Sequence, residues 1–300
     1  MAVDDMHPDL RNVARWLPRG GIGARTLKPI RLLSGLQSRR ATTSIAVEPV
    51  GAVSVRVHQP PSSQTLLPAM LWIHGGGMVM GTAAQDDALC RRFSEELGIM
   101  VAAVDYRLAP EHPFPVPLDD CYDALLWLAR QPGVDTTRIV VGGASAGGGL
   151  AAGLALLAHR RGEVVLAFQL LTYPMLDDRT ATRVDGDARK RRLWSNSSNR
   201  FGWQSYLGQA PGGSEVDGLA APARVDDLAQ LPPAWIGVGT LDLFYAEDVA
   251  YAERLNAAGV ACALDVIPGA FHGFDLVAPK AGVSQAFRSA QIAALAAALA

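Results

Sequence analysis

Two apolar rhythms alternate along the chain. From about Ser44 the runs SIAVEPV and VSVRVHQP flank a Gly51-Ala52 turn. In the second run Val53, Val55 and Val57 alternate with Ser54, Arg56 and His58, which predicts a hairpin with one buried face and one solvent face. Short β-type runs then recur as AMLWIHG, IMVAAVDY, RIVVGGAS, VVLAFQLLTY, AWIGVG and CALDVIPG, alternating with helical stretches most of which show apolar residues three and four apart. Those stretches predict helices over Asp86 to Leu97, Leu118 to Gln131, Ala146 to Arg161, Ala246 to Ala258 and Ser284 to Leu299. Strands that alternate with helices predict an α/β fold, a mostly parallel central sheet flanked by helices on both faces.

Two stretches break the rhythm. Residues 1–43 run from helix-like DDMHPDLRNVARWL into the Gly-rich, basic GGIGARTLKPIRLLSGLQSRR. Residues from about 176 to 226 are polar, irregular and aromatic. Long segments without strand character serve as lids or binding loops, so both are expected to build a helical cap. The expected organisation is an N-terminal cap segment at 1–43 and a core at 44–300 with a cap insertion at about 176–226. The Ala-rich end, QIAALAAALA, is too short to span a bilayer and is expected to pack on the sheet.

Composition narrows the class. Of 300 residues 49% are hydrophobic and 19% charged, too apolar for a disordered chain. Lys and Arg number 27 against 29 Asp and Glu, a net charge of −2 that excludes a polyanion-binding field over the whole molecule. Nucleic acid is therefore not an expected partner. Cys90, Cys121 and Cys262 are far apart and show no C-x-x-C spacing, which excludes a disulfide scaffold. The opening MAVDDMHPDL has acids where a secretory signal has a basic start, and no run is long enough for a membrane span. A cytoplasmic protein without integral membrane association is expected.

Chemistry concentrates in two glycine motifs. GASAG, Gly143 to Gly147, lies between a predicted strand and a predicted helix, the context in which a G-x-S-x-G turn lifts a nucleophilic hydroxyl, here that of Ser145. HGGG, His74 to Gly77, follows the third predicted strand. Acyl transfer needs N–H groups converging on an oxyanion, and consecutive glycines allow that approach. Gly76 and Gly77 are the preferred donors with Ala146, and Gly75 stands beside them.

HGGG, DYRLAPEHPFP at Asp105 to Pro115 and GASAGG together resemble the hormone-sensitive-lipase-like carboxylesterases of the α/β-hydrolase superfamily, from about residue 45 to the C-terminus. The resemblance implies a Ser, Asp, His triad in that chain order, ester substrates, no metal and no cofactor. From the residues, the acid belongs on the loop after AWIGVG, where Asp242 falls, and the base after CALDVI, where His272 falls. Glu247 and Asp248 compete with Asp242, but they start a helix rather than end a strand. The chain departs from the family pattern at Ala144, at Met78 and in the acid motif from Asp242 to Ala246.

The expected activity is hydrolysis of short- to medium-chain carboxylic esters by a serine carboxylesterase, with a homodimer allowed. Met78, Phe244, Trp203 and Tyr206 are candidate pocket residues, and Trp194, Phe201 and Met80 stand near the same loops. The basic run Arg189, Lys190, Arg191, Arg192 reads as a solvated face, or as a steering patch for anionic substrates or lipid head groups. The alternative function is a non-catalytic small-molecule receptor on the same fold, against which His272 argues. A G-x-G-x-x-A match at Gly147, Gly149 and Ala152 would suit a dinucleotide enzyme, but it begins after the turn and lacks the ribose-binding acid.

Overall fold

The computed structural model describes residues 3–40, 45–61, 66–183 and 191–300, with the side chains of 34–40 outside the description. In chain order the elements are α1 (Arg11–Ala14), α2 (Ala24–Arg40), β1 (Ala46–Val50), β2 (Val53–His58), β3 (Leu67–Ile73), α3 (Asp87–Leu97), β4 (Met100–Asp105), α4 (Val116–Ala129) and β5 (Val134–Ala144). They continue with α5 (Ala146–Arg161), β6 (Phe168–Thr172), α6 (Asn196–Leu207), β7 (Ala234–Gly239), α7 (Tyr245–Ala257), β8 (Cys262–Ile267), α8 (Phe274–Val277) and α9 (Gly282–Leu299). One sheet runs in the order β1-β2-β4-β3-β5-β6-β7-β8. β1 and β2 are antiparallel to their neighbours, and every later pairing is parallel.

Strand side chains alternate between two apolar layers, as a sheet covered on both faces requires. On β3, Ala69, Leu71 and Ile73 enter the layer under α4, α5 and α7, whereas Met70 and Trp72 enter the layer under α3 and α9. The register carries the motifs to one end of the sheet. Ile73 lies opposite Gly143, Ala144 opposite Thr172 and Gly239 opposite Ile267. The loops after β3, β5, β7 and β8 therefore emerge side by side.

Three strand expectations change. The polar face of β2 is covered: Arg56 Nε and Nη2 donate to the Asp87 carboxylate at 2.8 and 2.7 Å, and both residues and His58 are buried. The cause is position, since β1 takes the edge and α3 lies over β2. β6 begins only at Phe168, with Val164 and Leu166 buried in a loop while Val165 is 77% exposed. β5 begins earlier than its apolar run, at Val134.

The C-terminal helix is pinned by Phe287, whose ring lies 5.0 to 6.2 Å from Phe274, Trp235 and Tyr173. Phe287→Ala is expected to cost about 3–5 kcal/mol through the cavity it opens. Val165→Ala, at an exposed loop position, is expected to stay within about 0.5 kcal/mol. Urea denaturation of the two variants checks both values.

Candidate active site

Ser145 occupies a backbone conformation that side chains rarely adopt, φ 57° and ψ −120°, between β5 and α5. Its own backbone is held on both sides. The Ser145 N–H donates to the Thr172 carbonyl at 2.9 Å, and its carbonyl accepts from Gly149 and Met175 at 3.0 and 2.9 Å. The turn is this tight because α5 starts against the end of β3, where a methyl on Gly147 would overlap the carbonyl oxygens of Ile73 and His74. Gly149 lies equally close to the Met175 carbonyl. Packing thus accounts for the glycines of the G-x-G-x-x-A match.

His272 follows β8 on a loop tied to the acid loop. Thr240 N–H donates to the Ile267 carbonyl and Leu241 N–H to that of Ala270, at 3.0 and 2.9 Å. The His7 N–H reaches the Gly269 carbonyl at 2.9 Å, so the N-terminal segment braces the same loop. His272 Nε2 lies 2.9 Å from Ser145 Oγ, and Nδ1 lies 2.8 Å from Asp242 Oδ2. With the ring proton on Nδ1, the imidazole donates to Asp242 and accepts from the serine hydroxyl. The buried Asp242 also accepts the Phe244 N–H at 3.0 Å, which fixes the carboxylate plane.

The two competing acids face elsewhere. Glu247 accepts the N–H groups of Leu176 and Asp177 at 2.8 and 3.1 Å and the Thr180 hydroxyl, so it holds the start of the 176–226 insertion. Burial pushes its carboxyl up to about 8. Asp248 is buried with neither oxygen hydrogen-bonded among the described residues, and burial raises its pKa as well.

The glycine loop after β3 lies against the serine turn. A Cβ on Gly75 would come within 2.9 Å of the Ala144 carbonyl and 3.4 Å of Ser145 Cβ. Gly76 and Gly77 follow at φ 131° and 62°, and a side chain at Gly77 would enter the Trp194 ring. His74 anchors the loop, stacking on Tyr106 at 4.2 Å, while the Tyr106 hydroxyl donates to the His74 carbonyl at 3.0 Å. Ala146 opens α5, where the first N–H groups have no intrahelical acceptor.

A cavity of about 710 Å³ reaches Gly75, Gly76, Gly77, Ser145 and His272 at its floor. Its walls include Pro18, Ile22, Pro29 and Ile30 from the N-terminal segment, Leu193 and Trp194 from the insertion, and Met80. The expectation for Met78, Phe244, Trp203 and Tyr206 is not met, because all four are buried and none lines the cavity. Met78, at φ 65°, turns back into the layer under α5. Phe244 stands edge-on to His272 at 5.1 Å, and Tyr173 also packs on the imidazole at 4.9 Å. Tyr206 packs on Phe114 and Trp203, seating α6 on the core.

Sequence reasoning placed residues 1–43 in a cap but named none of the residues of the N-terminal wall, and it missed Asp86. Asp86 lines the cavity, accepts from Trp72 Nε1 at 2.8 Å and is raised by burial to about 7. Its only sequence signal is an acid at a helix start, which ordinarily reads as capping. In the basic run, Arg189 and Lys190 lie outside the described residues. Arg192 is buried rather than solvated, donating to the Ala14 carbonyl at 2.7 Å.

The sequence model of the α/β-hydrolase fold family matches residues 70–276. The chain belongs to the α/β-hydrolase fold family. The hydrolase is 36% identical over 236 residues to the esterase LipI of Mycobacterium tuberculosis, covering 75% of this chain and 72% of the relative. It is 36% identical over 265 residues to the carboxylesterase NlhH of the same species, covering 84% and 81%. A solved bacterial heroin esterase superposes with a TM-score of 0.90 at 36% identity over 100% of both chains. The resemblance to the hormone-sensitive-lipase-like group, drawn from HGGG, DYRLAPEHPFP and GASAGG, is borne out by these relatives.

Glu247 gives the hydrolase a testable pH signature. The folded state keeps its proton up to about pH 8, whereas the unfolded carboxyl releases it near the ordinary value of 4.5. Between those values the folded state binds more protons, so this group's contribution to stability falls as pH rises. Glu247→Gln removes that slope. The stability of the variant relative to wild type is expected to climb between about pH 5 and pH 8 and then level off, as read from denaturation midpoints across that range.

Proposed function

We propose that Ser145, His272 and Asp242 form the catalytic triad of this carboxylic ester hydrolase, with oxyanion donors from the glycine loop and the start of α5. The observation that carries the reading is the relay of 2.9 and 2.8 Å from Ser145 Oγ through the imidazole to Asp242. His272 Nε2 takes the hydroxyl proton as Oγ attacks the ester carbonyl carbon, and Asp242 holds the tautomer and stabilises the imidazolium. The developing oxyanion is received by N–H groups of Gly76, Gly77 and Ala146, with Gly75 beside them, each worth roughly 3 kcal/mol in the transition state. The C–O bond to the alcohol then breaks, the alkoxide leaving with the proton from His272. Water, activated by the same imidazole, releases the acid from the acyl-enzyme.

The segments 1–43 and 176–226 act, in this reading, as one cap over the core at 44–300. Their direct bonds support it: Leu193 N–H donates to the Pro18 carbonyl at 2.9 Å, and Ile22 N–H to Ser198 Oγ at 3.2 Å. The cavity beneath, about 710 Å³, is the size of a site for a small organic ligand and favours short- to medium-chain esters.

Hydrolysis of p-nitrophenyl esters from acetate to palmitate tests the whole reading. The expected optimum lies at short to medium chains, and an optimum at palmitate would overturn the size argument. Ser145→Ala, checked for folding, is expected to fall to background. Asp242→Asn is expected to lose about 10⁴ in kcat by the precedent of other triads. Glu247→Gln is expected to keep near-normal turnover, and the reverse pattern would move the acid to Glu247.

A further inference from the structure

Residues 11–40 contain eight of the chain's 27 Lys and Arg residues and none of its 29 Asp and Glu residues. A strongly cationic segment thus sits in a chain of net charge −2, and the remainder is correspondingly acidic. The fold brings much of that charge to the surface, where Arg15, Arg19, Arg25 and Lys28 are exposed. Large apolar side chains are exposed among them: Trp16 is 90% exposed, Leu32 68% and Leu33 60%.

α2 is docked by its opposite side. Leu27 is buried in the core, and Arg31 donates to the carbonyls of Val79 and Ala109 at 2.6 and 2.5 Å and to the exposed Glu111 carboxylate at 2.9 Å. At helical spacing, Arg25, Lys28, Leu32 and Leu33 then share the outward arc. Leucines and a tryptophan set among cations are the chemistry of a surface that enters a headgroup layer. The same segment borders the cavity, since Pro18, Gly21, Thr26 and Pro29 both line it and are exposed.

We propose that this face docks on an anionic phospholipid surface, with Trp16, Leu32 and Leu33 entering the headgroup layer, Arg15, Arg19, Arg25 and Lys28 facing phosphates, and the cavity opening toward the lipid. A second copy of the chain is the competing occupant, and charge opposes it. A two-fold dimer through this face would set the cationic segment against itself. An anionic surface gains from every one of these cations, and the acidic remainder turns the molecule so that this face leads. Docking of this kind is a binding event and does not depend on the assignment of the triad.

Co-sedimentation with vesicles tests it. Wild type is expected to bind vesicles of equal parts phosphatidylcholine and phosphatidylglycerol, not phosphatidylcholine alone, and to be released by high salt. Tryptophan emission should shift to the blue on binding, and Trp16→Phe should lose that shift. Arg25→Glu with Lys28→Glu is expected to lower partitioning by roughly tenfold or more. The double variant should retain wild-type circular dichroism and, without vesicles, wild-type hydrolysis of a water-soluble acetate ester. No binding to the anionic vesicles, equal binding to both kinds, or undiminished binding by the double variant would overturn the proposal. Vesicle binding by a protein that hydrolyses no ester would leave this inference standing and sink the esterase chemistry instead.

Discussion

The first turn of α5 lies hard against the ends of β3 and β5, and the geometry of the site follows from that contact. Because Gly147 carries no side chain, the helix can start beside the Ile73 carbonyl, and the chain must then reverse within one residue. That residue is Ser145, which takes the strained conformation and is held there by Thr172, Gly149 and Met175. The glycine loop is fixed by the same packing, since it leaves β3 one residue beyond Ile73 and passes over the Ala144 carbonyl. The nucleophile candidate and the candidate oxyanion donors are thus positioned by backbone contact, with no flexible side chain between them.

Legibility in the sequence tracked how local each determinant was. Helix α5 was readable to the residue because a nucleophile turn dictates where the helix must start, and the other four helices read from apolar spacing fell within two residues of their patterns, whereas α2 and α6 in the cap segments were not read as helices. Asp242 and His272 were readable because each must leave the end of a particular strand, and the register of β7 with β8 sets those ends together. Alternation in β2 identified which residues share a face but not what covers it, so the burial of Arg56 under α3 was invisible. Aromatic residues of the insertion looked like pocket lining, yet Trp203 and Tyr206 are used to seat α6, since a polar insertion has few other groups with which to bury area. The residues of the N-terminal wall were illegible because Ile22 and Ile30 come to line one cavity with Trp194 only after six of the eight strands have been laid down between them.

Charge is distributed with the same economy. Buried carboxyls surround the site, Asp86 at the cavity and Asp275 bonded to the Tyr173 hydroxyl at 2.8 Å, and burial raises both. Tyr173 in turn stands against His272, so the imidazole is held between a tyrosine fixed by a buried carboxyl and the Asp242 carboxylate bonded to its Nδ1.

Glu247 has a consequence for how such a molecule can be rebuilt. It lies on α7, two elements beyond the insertion in the chain, yet it supplies the acceptors for Leu176, Asp177 and Thr180 at the insertion's first turn. The insertion is therefore not a self-contained cassette. A recombinant that exchanges residues 176–226 for the corresponding stretch of a relative inherits a helix still shaped for the original parent. A successful chimera needs its crossover points drawn wide enough to carry α7 along with the loop it secures.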